Sequence, residues 1–207
     1  AAVLITGAIG GLGRKTALLL AEAGRPVVIG GRRKDAVLAL CEEARAKGVE
    51  ARPFVADLAS LASVAAAIDG IAGVPLHGIV ANAGISTQRE EESVDGYELT
   101  FAVNVLAHQL LYLRLAPQLD PGGRVVVVSS GVHLPENMLA RRAGIPVPRW
   151  IGVEHLAHQR AAPSDLQLPG RTRYSTSKLA NVLQARRLQK ELRDQGRDVD
   201  VFAIDPD

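Results

Sequence analysis

The stretch Ala2-Val3-Leu4-Ile5-Thr6-Gly7-Ala8-Ile9-Gly10-Gly11-Leu12-Gly13 decides how this chain folds. Its first five residues are a short, largely apolar run of the kind shown by a parallel strand buried on both faces. Glycines at 7, 10, 11 and 13 follow at once. A helical pattern then begins, with Leu12, Thr16, Leu19, Leu20 and Ala23 on its apolar face and Gly24 as its stop. Strand, glycine turn and helix make the opening of a dinucleotide-binding unit. Glycines let the backbone turn tightly and approach a pyrophosphate, which rests on the positive end of the helix. The spacing is Gly7-x-x-x-Gly11-x-Gly13 after Thr6, not the common G-x-G-x-x-G. Such a loop can also serve strand-to-helix packing alone, and its place directly after an apolar strand favours the nucleotide.

The alternation continues down the chain. Residues 26–30 read as a second strand, a helix follows over 35–47, and residues 49–56 read as a third strand ending at Asp57-Leu58. An acidic residue closing the second strand would hold the ribose hydroxyl of NAD, whereas an Arg there accommodates the extra phosphate of NADP. This chain offers Gly31 and Arg32, which favours NADP over NAD; alternatively Arg32, Arg33 and Lys34 only solvate a helix start. Asp57 either faces a ligand at the sheet edge or caps the helix over 59–71. A fourth strand over 76–81 runs into Asn82-Ala83-Gly84, and residues 93–119 read as mainly helical. The apolar stripe of that helix passes through Leu99, Val103, Leu106, Leu110, Leu113 and Leu115, and Asn104 interrupts it as either a satisfied core amide or part of a site. A fifth strand over 124–128 ends at Ser129-Ser130, and a sixth over 199–204 ends at Asp205-Pro206-Asp207. The expected fold is α/β, a doubly wound parallel sheet (Rossmann) with helices on both faces, in a single domain spanning 1–207.

Composition sets the outer limits. The chain is 47% hydrophobic but only 3% aromatic, which suits helices packed closely on aliphatic strands. A net charge of +2, from 24 basic and 22 acidic residues, gives no global electrostatic case for nucleic acid or an anionic membrane. The lone Cys41 forbids an internal disulfide, fits a reducing compartment and reads as a half-buried helix residue. No apolar run approaches the roughly 20 residues of a membrane span, so a soluble, cytoplasmic protein is expected. The chain begins in a strand without Met and is read as trimmed.

Tyr174-Ser175-Thr176-Ser177-Lys178 opens the last long helix, expected over 174–195, and a Tyr and a Lys four apart share a helix face. A free phenol titrates near pH ~10, and a neighbouring cation stabilises the phenolate, so such a pair can exchange protons near neutrality. Taken alone, the spacing equally fits a surface Tyr lying on a Lys stem.

In order, Thr6-Gly7-x-x-x-Gly11-x-Gly13, Asn82-Ala83-Gly84, Asn104, Ser129-Ser130 and Tyr174-x-x-x-Lys178 resemble the short-chain dehydrogenase/reductase family over nearly the whole chain. The resemblance implies hydride transfer between a nicotinamide and a carbonyl or alcohol of an apolar small molecule. Tyr174 would be the general acid/base, Lys178 would support it and hold the nicotinamide ribose, Ser130 would bind the substrate oxygen, and Asn104 would position a water relaying protons with Lys178. Gly7, Gly11, Leu12 and Gly13 would hold the pyrophosphate, Asp57 and Leu58 the adenine, and Asn82, Ala83 and Gly84 the inner cleft. A non-catalytic NADP-binding sensor of the same fold is the alternative. The family also implies a homodimer or homotetramer built on the two long helices, here with Leu179, Val182, Leu183 and Leu188 on the second. No metal is expected, and His133, His155 and His158 read as loop residues.

Two departures stand out. Ser130 and Tyr174 lie 44 positions apart, farther than in many family members. The intervening 131–173 resembles the insertions of retinol-dehydrogenase-like and protochlorophyllide-reductase-like members and is read as a loop or lid. It holds Pro135, Pro146, Pro148, Pro163 and Pro169, with Met138 and Trp150. Family members also continue past the sixth strand into a Pro-Gly turn, a substrate-covering segment and a seventh strand. Asp207 stands where that Gly is expected, so the C-terminal part is read as missing.

Overall fold

The computed structural model describes residues 1–134, 142, 144 and 146–206. Pro135, Met138 and Asp207, named above for the insertion and the chain end, lie outside the described residues. The order is β1 (Ala2–Ile5), α1 (Gly11–Glu22), β2 (Val27–Gly31), α2 (Lys34–Arg45), β3 (Ala51–Val55), α3 (Leu61–Asp69), β4 (Leu76–Ala81), α4 (Leu99–Gln118), β5 (Gly123–Val128), α5 (Val153–Ala157), α6 (Gly170–Asp194) and β6 (Val199–Ile204). All six strands pair in parallel in the order β3-β2-β1-β4-β5-β6. This is the doubly wound α/β sheet expected from the sequence.

Strand alternation sends successive side chains to opposite faces, which divides the core in two. Ile5, Val27 and Ile29 pack with Ala17, Ala21, Val37 and Leu40 of α1 and α2. Leu4, Val28, Ile79, Val125 and Val127 pack with Val64 and Ile68 of α3, Leu111 and Tyr112 of α4, and Leu188 and Leu192 of α6. Cys41 belongs to the first layer and is fully buried, deeper than the half-burial expected. The chain reverses its direction of growth between β1 and β4, and the crevice of such a sheet opens there, at the carboxyl ends of the strands.

Helix α4 departs from the sequence reading. It begins at Leu99, not Ser93, because residues 93–96 close a turn through Gly96 N–H to Ser93 O at 3.0 Å with Gly96 at φ 80°. Glu98 then caps the helix, its carboxylate accepting from Thr100 N–H at 3.1 Å and Phe101 N–H at 2.6 Å. After one α turn the helix passes through a π turn at Ala102–Leu106, then α-helix at Ala107–Leu115 and a 3₁₀ turn at Ala116–Gln118. Leu113, counted on the apolar stripe, is exposed, and His108, Leu111 and Tyr112 occupy the buried face instead. By length and composition this helix could cross a membrane, contrary to the expectation from the sequence. It is 67% buried inside the fold.

Helix α6 starts one turn earlier than expected, at Gly170. The described part of the insertion packs beside it: Leu156, Ala157 and Leu168 are buried against Phe101 and Val105 of α4 and Ala180 of α6. A buried ion pair fastens this junction. Arg173 Nε lies 3.1 Å from Glu98 Oε1, each side chain 4% exposed. The guanidinium also donates to Leu168 O and Arg89 O, both at 2.8 Å. Burial holds the Glu98 carboxyl above its ordinary range despite these donors. Removing one partner of such a pair strands a buried charge, so Arg173→Leu should lower stability by about 3–5 kcal/mol. Urea unfolding checks this, and a loss below about 1 kcal/mol would show that the pair holds nothing together.

Candidate functional site

At the crevice, the end of β1 is bound to the end of β4 through two side chains. Thr6 Oγ1 accepts the backbone N–H groups of Asn82 and Ala83, each at 3.0 Å, and Asn82 Nδ2 donates to Thr6 O at 2.9 Å and Gly7 O at 3.3 Å. The glycines follow from these contacts. Gly7 turns the chain at φ 64°, and a Cβ there would stand 2.9 Å from Ala83 Cα. A Cβ on Gly13 would stand 2.4 Å from Gly7 O and 2.6 Å from Asn82 Nδ2. Gly13 therefore sits behind the turn and lets α1 close on it, while Gly7 faces the crevice. Gly11 (φ 53°) and the exposed Leu12 form the first turn of α1.

A cavity of about 350 Å³ lies over this turn. Among its lining residues are Gly7, Arg32, Asp57, Leu58, Asn82, Ala83 and Gly84. The two readings of Asp57 separate here. Ser60 caps α3 by accepting from Ser63 N–H at 3.2 Å, while Asp57, whose Oδ1 accepts from Ala59 N–H at 3.0 Å, lines the cavity. Arg32 has no ion-pair partner among the described residues, whereas nearby Arg14 is engaged with Glu43 at 2.6 Å.

Beyond Gly84 the chemistry-bearing side chains meet. Asn104 lies in the π turn, and such turns often mark functional positions. Three hydrogen bonds hold its amide: Nδ2 donates to Ile85 O at 2.9 Å and Ser177 Oγ at 3.0 Å, and Oδ1 accepts from Ile85 N–H at 2.8 Å. Lys178 Nζ donates to Val128 O at 3.0 Å and stands 5.8 Å from the centre of the Tyr174 ring. Burial lowers the Lys178 ammonium below its ordinary range. Ser129 Oγ donates to Lys178 O at 2.9 Å, tying the end of β5 to α6. Ser130 begins the turn Gly131–His133, where its Oγ accepts from Val132 N–H at 3.4 Å and its carbonyl meets His133 Nδ1 at 2.6 Å.

Three residues of this seam escaped the sequence reading: His108, Ser177 and Asn181. Asn181 Nδ2 donates to Asn104 O at 2.8 Å, and Ser177 Oγ donates to Tyr174 O at 2.7 Å. Their spacing was the available signal, since His108 is four residues from Asn104 and Asn181 four from Ser177, each pair on one helix face.

A family model described as short chain dehydrogenase matches residues 1–139. The chain belongs to the short-chain dehydrogenase family. Mouse (Mus musculus) polyprenol dehydrogenase is 36% identical across 98% of this chain, which spans 58% of that relative's length. Among solved structures, an uncharacterized protein from Mycobacterium Paratuberculosis is 33% identical with a TM-score of 0.80, covering 99% of this chain and 67% of its own. A blue fluorescent protein from a metagenomic library, solved with NADPH, is 26% identical with a TM-score of 0.68, covering 99% of this chain and 72% of its own. In this member of the family the glycine turn and Asn82-Ala83-Gly84 line one cavity, and Asn104 and Lys178 lie beside Gly84, where a Cβ would stand 3.3 Å from Asn104 Oδ1 and 3.5 Å from Lys178 Nζ.

His108 is completely buried, and burial is the main reason that its imidazole is lowered from 6.5 to about 4; the Lys178 charge adds to the shift. An unfolded chain takes up this proton below about pH 6.5, and the folded one resists until about 4. Stability from His108 is therefore complete above 6.5 and falls as the pH drops towards 4, by roughly 3 kcal/mol in all. Denaturant unfolding across that range should show a steeper acid loss for the wild type than for His108→Gln, and parallel slopes would contradict it.

Proposed function

We propose that this chain is an NADP-dependent oxidoreductase moving a hydride between nicotinamide and a carbonyl or alcohol carbon of an apolar small molecule. The observation that carries this reading is the Lys178 ammonium, held at 3.0 Å by Val128 O and 5.8 Å from the Tyr174 ring centre, at the sheet edge where Ser130 and Asn104 also lie. The residues present fit the cofactor. Gly7 lines the cavity and lets the turn close against Ala83, Gly11 and Leu12 offer the first turn of α1, and Gly13 lets that helix sit close. Asp57, Leu58, Asn82, Ala83 and Gly84 wall the cavity, and Arg32, which lines it and has no ion-pair partner among the described residues, suits the extra phosphate that distinguishes NADP from NAD. Nicotinamide, when bound, supplies the hydride chemistry.

The protein's own part is proton transfer and charge stabilisation. In reduction Tyr174 donates a proton to the substrate oxygen and Lys178 stabilises the resulting phenolate; in oxidation the same pair accepts the proton. Ser130 donates a hydrogen bond to that oxygen. Asn104, its amide committed to Ile85 and Ser177, contributes by holding the wall of the cleft. The name of the mouse relative, a polyprenol dehydrogenase, agrees with an apolar alcohol. The exposed Leu113 and Leu183, on the parts of α4 and α6 that the insertion leaves uncovered, are where a second copy would pack to form a homodimer. A reducing, cytoplasmic setting suits the free, buried Cys41.

Tyr174→Phe keeps the ring and removes the transferable proton. It should lower turnover of a panel of apolar aldehydes and ketones by about 10²–10⁴-fold with little change in NADPH affinity. Retained turnover would overturn the assignment of Tyr174, and a wild type that binds NADPH but turns over none of the panel would favour the sensor reading.

A further inference from the structure

The polar seam between the glycine turn and the catalytic helix contains a group whose proton position can be deduced by counting donors. Thr6 Oγ1 already accepts two backbone N–H groups, that of Ala83 and that of Asn82, which it shares with Val80 O. Its own hydrogen must therefore be donated, and His108 Nε2 at 2.9 Å is a far better acceptor position than Val80 O at 3.5 Å. Nε2 is then the acceptor, so the ring proton sits on Nδ1. That nitrogen faces Asn104 O at 3.3 Å and donates to it, with the Val103 carbonyl as a second backbone acceptor for the ring.

Asn104 O also receives Asn181 Nδ2 at 2.8 Å, so two side-chain donors converge on a carbonyl within the π turn. From Asn104 the path continues by its amide to Ser177 Oγ and from there to Tyr174 O. Thr6, His108, Asn104 and Ser177 are each buried, and no water is needed to complete the chain. The charged group facing the imidazole is Lys178 of α6; Tyr112, stacked at 6.4 Å, Thr6 and Asn104 are its neutral neighbours.

We propose that His108 is a positioning residue for the reaction: its neutral imidazole, protonated on Nδ1, couples the seating of the cofactor turn at Thr6 to Asn104 and, through Ser177, to the helix turn bearing Tyr174. The coupling rests on the reading that the cavity takes a nicotinamide dinucleotide; the tautomer does not. A neutral imidazole is required because a protonated ring would present an N–H to Thr6 Oγ1, whose remaining capacity is already spent on two amides. A hydrophobic residue of the same size would fill the space and leave Thr6 without an acceptor.

The test uses the full chain, ¹⁵N-labelled, and needs no substrate for its first part. Long-range ¹H–¹⁵N spectra of the histidines should contain one imidazole, missing in His108→Gln, with a protonated Nδ1 and a bare Nε2. It should keep that pattern from about pH 8 to 5.5 and shift when NADPH is added. His108→Phe should weaken NADPH binding roughly five- to tenfold and slow single-turnover hydride transfer, and His108→Gln, which can still accept from Thr6, should restore most of both. An Nε2–H tautomer, or an imidazole that titrates near its ordinary value, would overturn the proposal. So would His108→Phe with wild-type NADPH affinity and rate. A wild type that binds neither NADPH nor NADH would overturn the cofactor reading and the coupling together, while the tautomer would still be decided by the spectra. Should His108→Phe fail to fold, the wild-type spectra, their response to NADPH and the affinity of His108→Gln decide the matter.

Discussion

The fold turns on the bond set between Thr6 and Asn82. The sheet reverses its growth between β1 and β4, and nothing in the strand ladders alone fixes how far the chain ends above them separate. One hydroxyl and one carboxamide do so by pairing four backbone groups of Thr6, Gly7, Asn82 and Ala83 across that gap. Each bond contributes only about 1 kcal/mol, but leaving such groups unpaired at the sheet edge would cost more, so this arrangement is strongly selected over looser ones. The glycines then become obligatory, since Ala83 crowds position 7 and the Gly7 carbonyl occupies the space a side chain would need at position 13.

A second constraint runs between α4 and α6, where buried polar groups bond across the helices beside their apolar contacts. Ser177 and Asn181 of α6 are buried and bond Asn104 of α4, and one turn on, Gln184 bonds Val105 O and Gln109 Oε1. A polar seam of this kind tolerates only the register in which its donors and acceptors match. It trades packing energy for a fixed placement of Tyr174 and Lys178 relative to β5. The Arg173–Glu98 pair repeats the device one residue away, joining the α6 start to the cap of α4 and to the insertion. From Ile151 to Leu168 the insertion is packed on both helices, with Leu156, Ala157 and Leu168 buried against Phe101, Val105 and Ala180.

Much of this was legible in the sequence because the signals were local. Strands buried on both faces are apolar throughout, and each ends at the polar or glycine residue that the crevice requires, as at Thr6, Asp57, Asn82 and Ser129. What stayed hidden depended on distant partners. The start of α4 differs from the sequence reading because the turn at Gly96 separates Ser93 from the helix and Glu98 takes the cap, with its buried ion-pair partner Arg173 lying 75 residues later. His108 was passed over because a single His on an aliphatic helix gives no hint of Thr6, from which it is separated by 102 positions. Leu113 was assigned inward by a regular helical period, and the π turn shifts that period, carrying His108, Leu111 and Tyr112 inward in its place. Asp57 could be weighed between cap and ligand only once Ser60 was seen to cap α3.

The account stands on the crevice holding a phosphorylated nicotinamide dinucleotide, and the direct measurement is fluorescence titration of the protein with NADPH and NADH in parallel, for the wild type and for Arg32→Ala. The account predicts tighter binding of NADPH than of NADH by the wild type, with Arg32→Ala losing about tenfold for NADPH and little for NADH. Equal or stronger binding of NADH would contradict the role given to Arg32, and binding of neither would contradict the reading of the crevice itself.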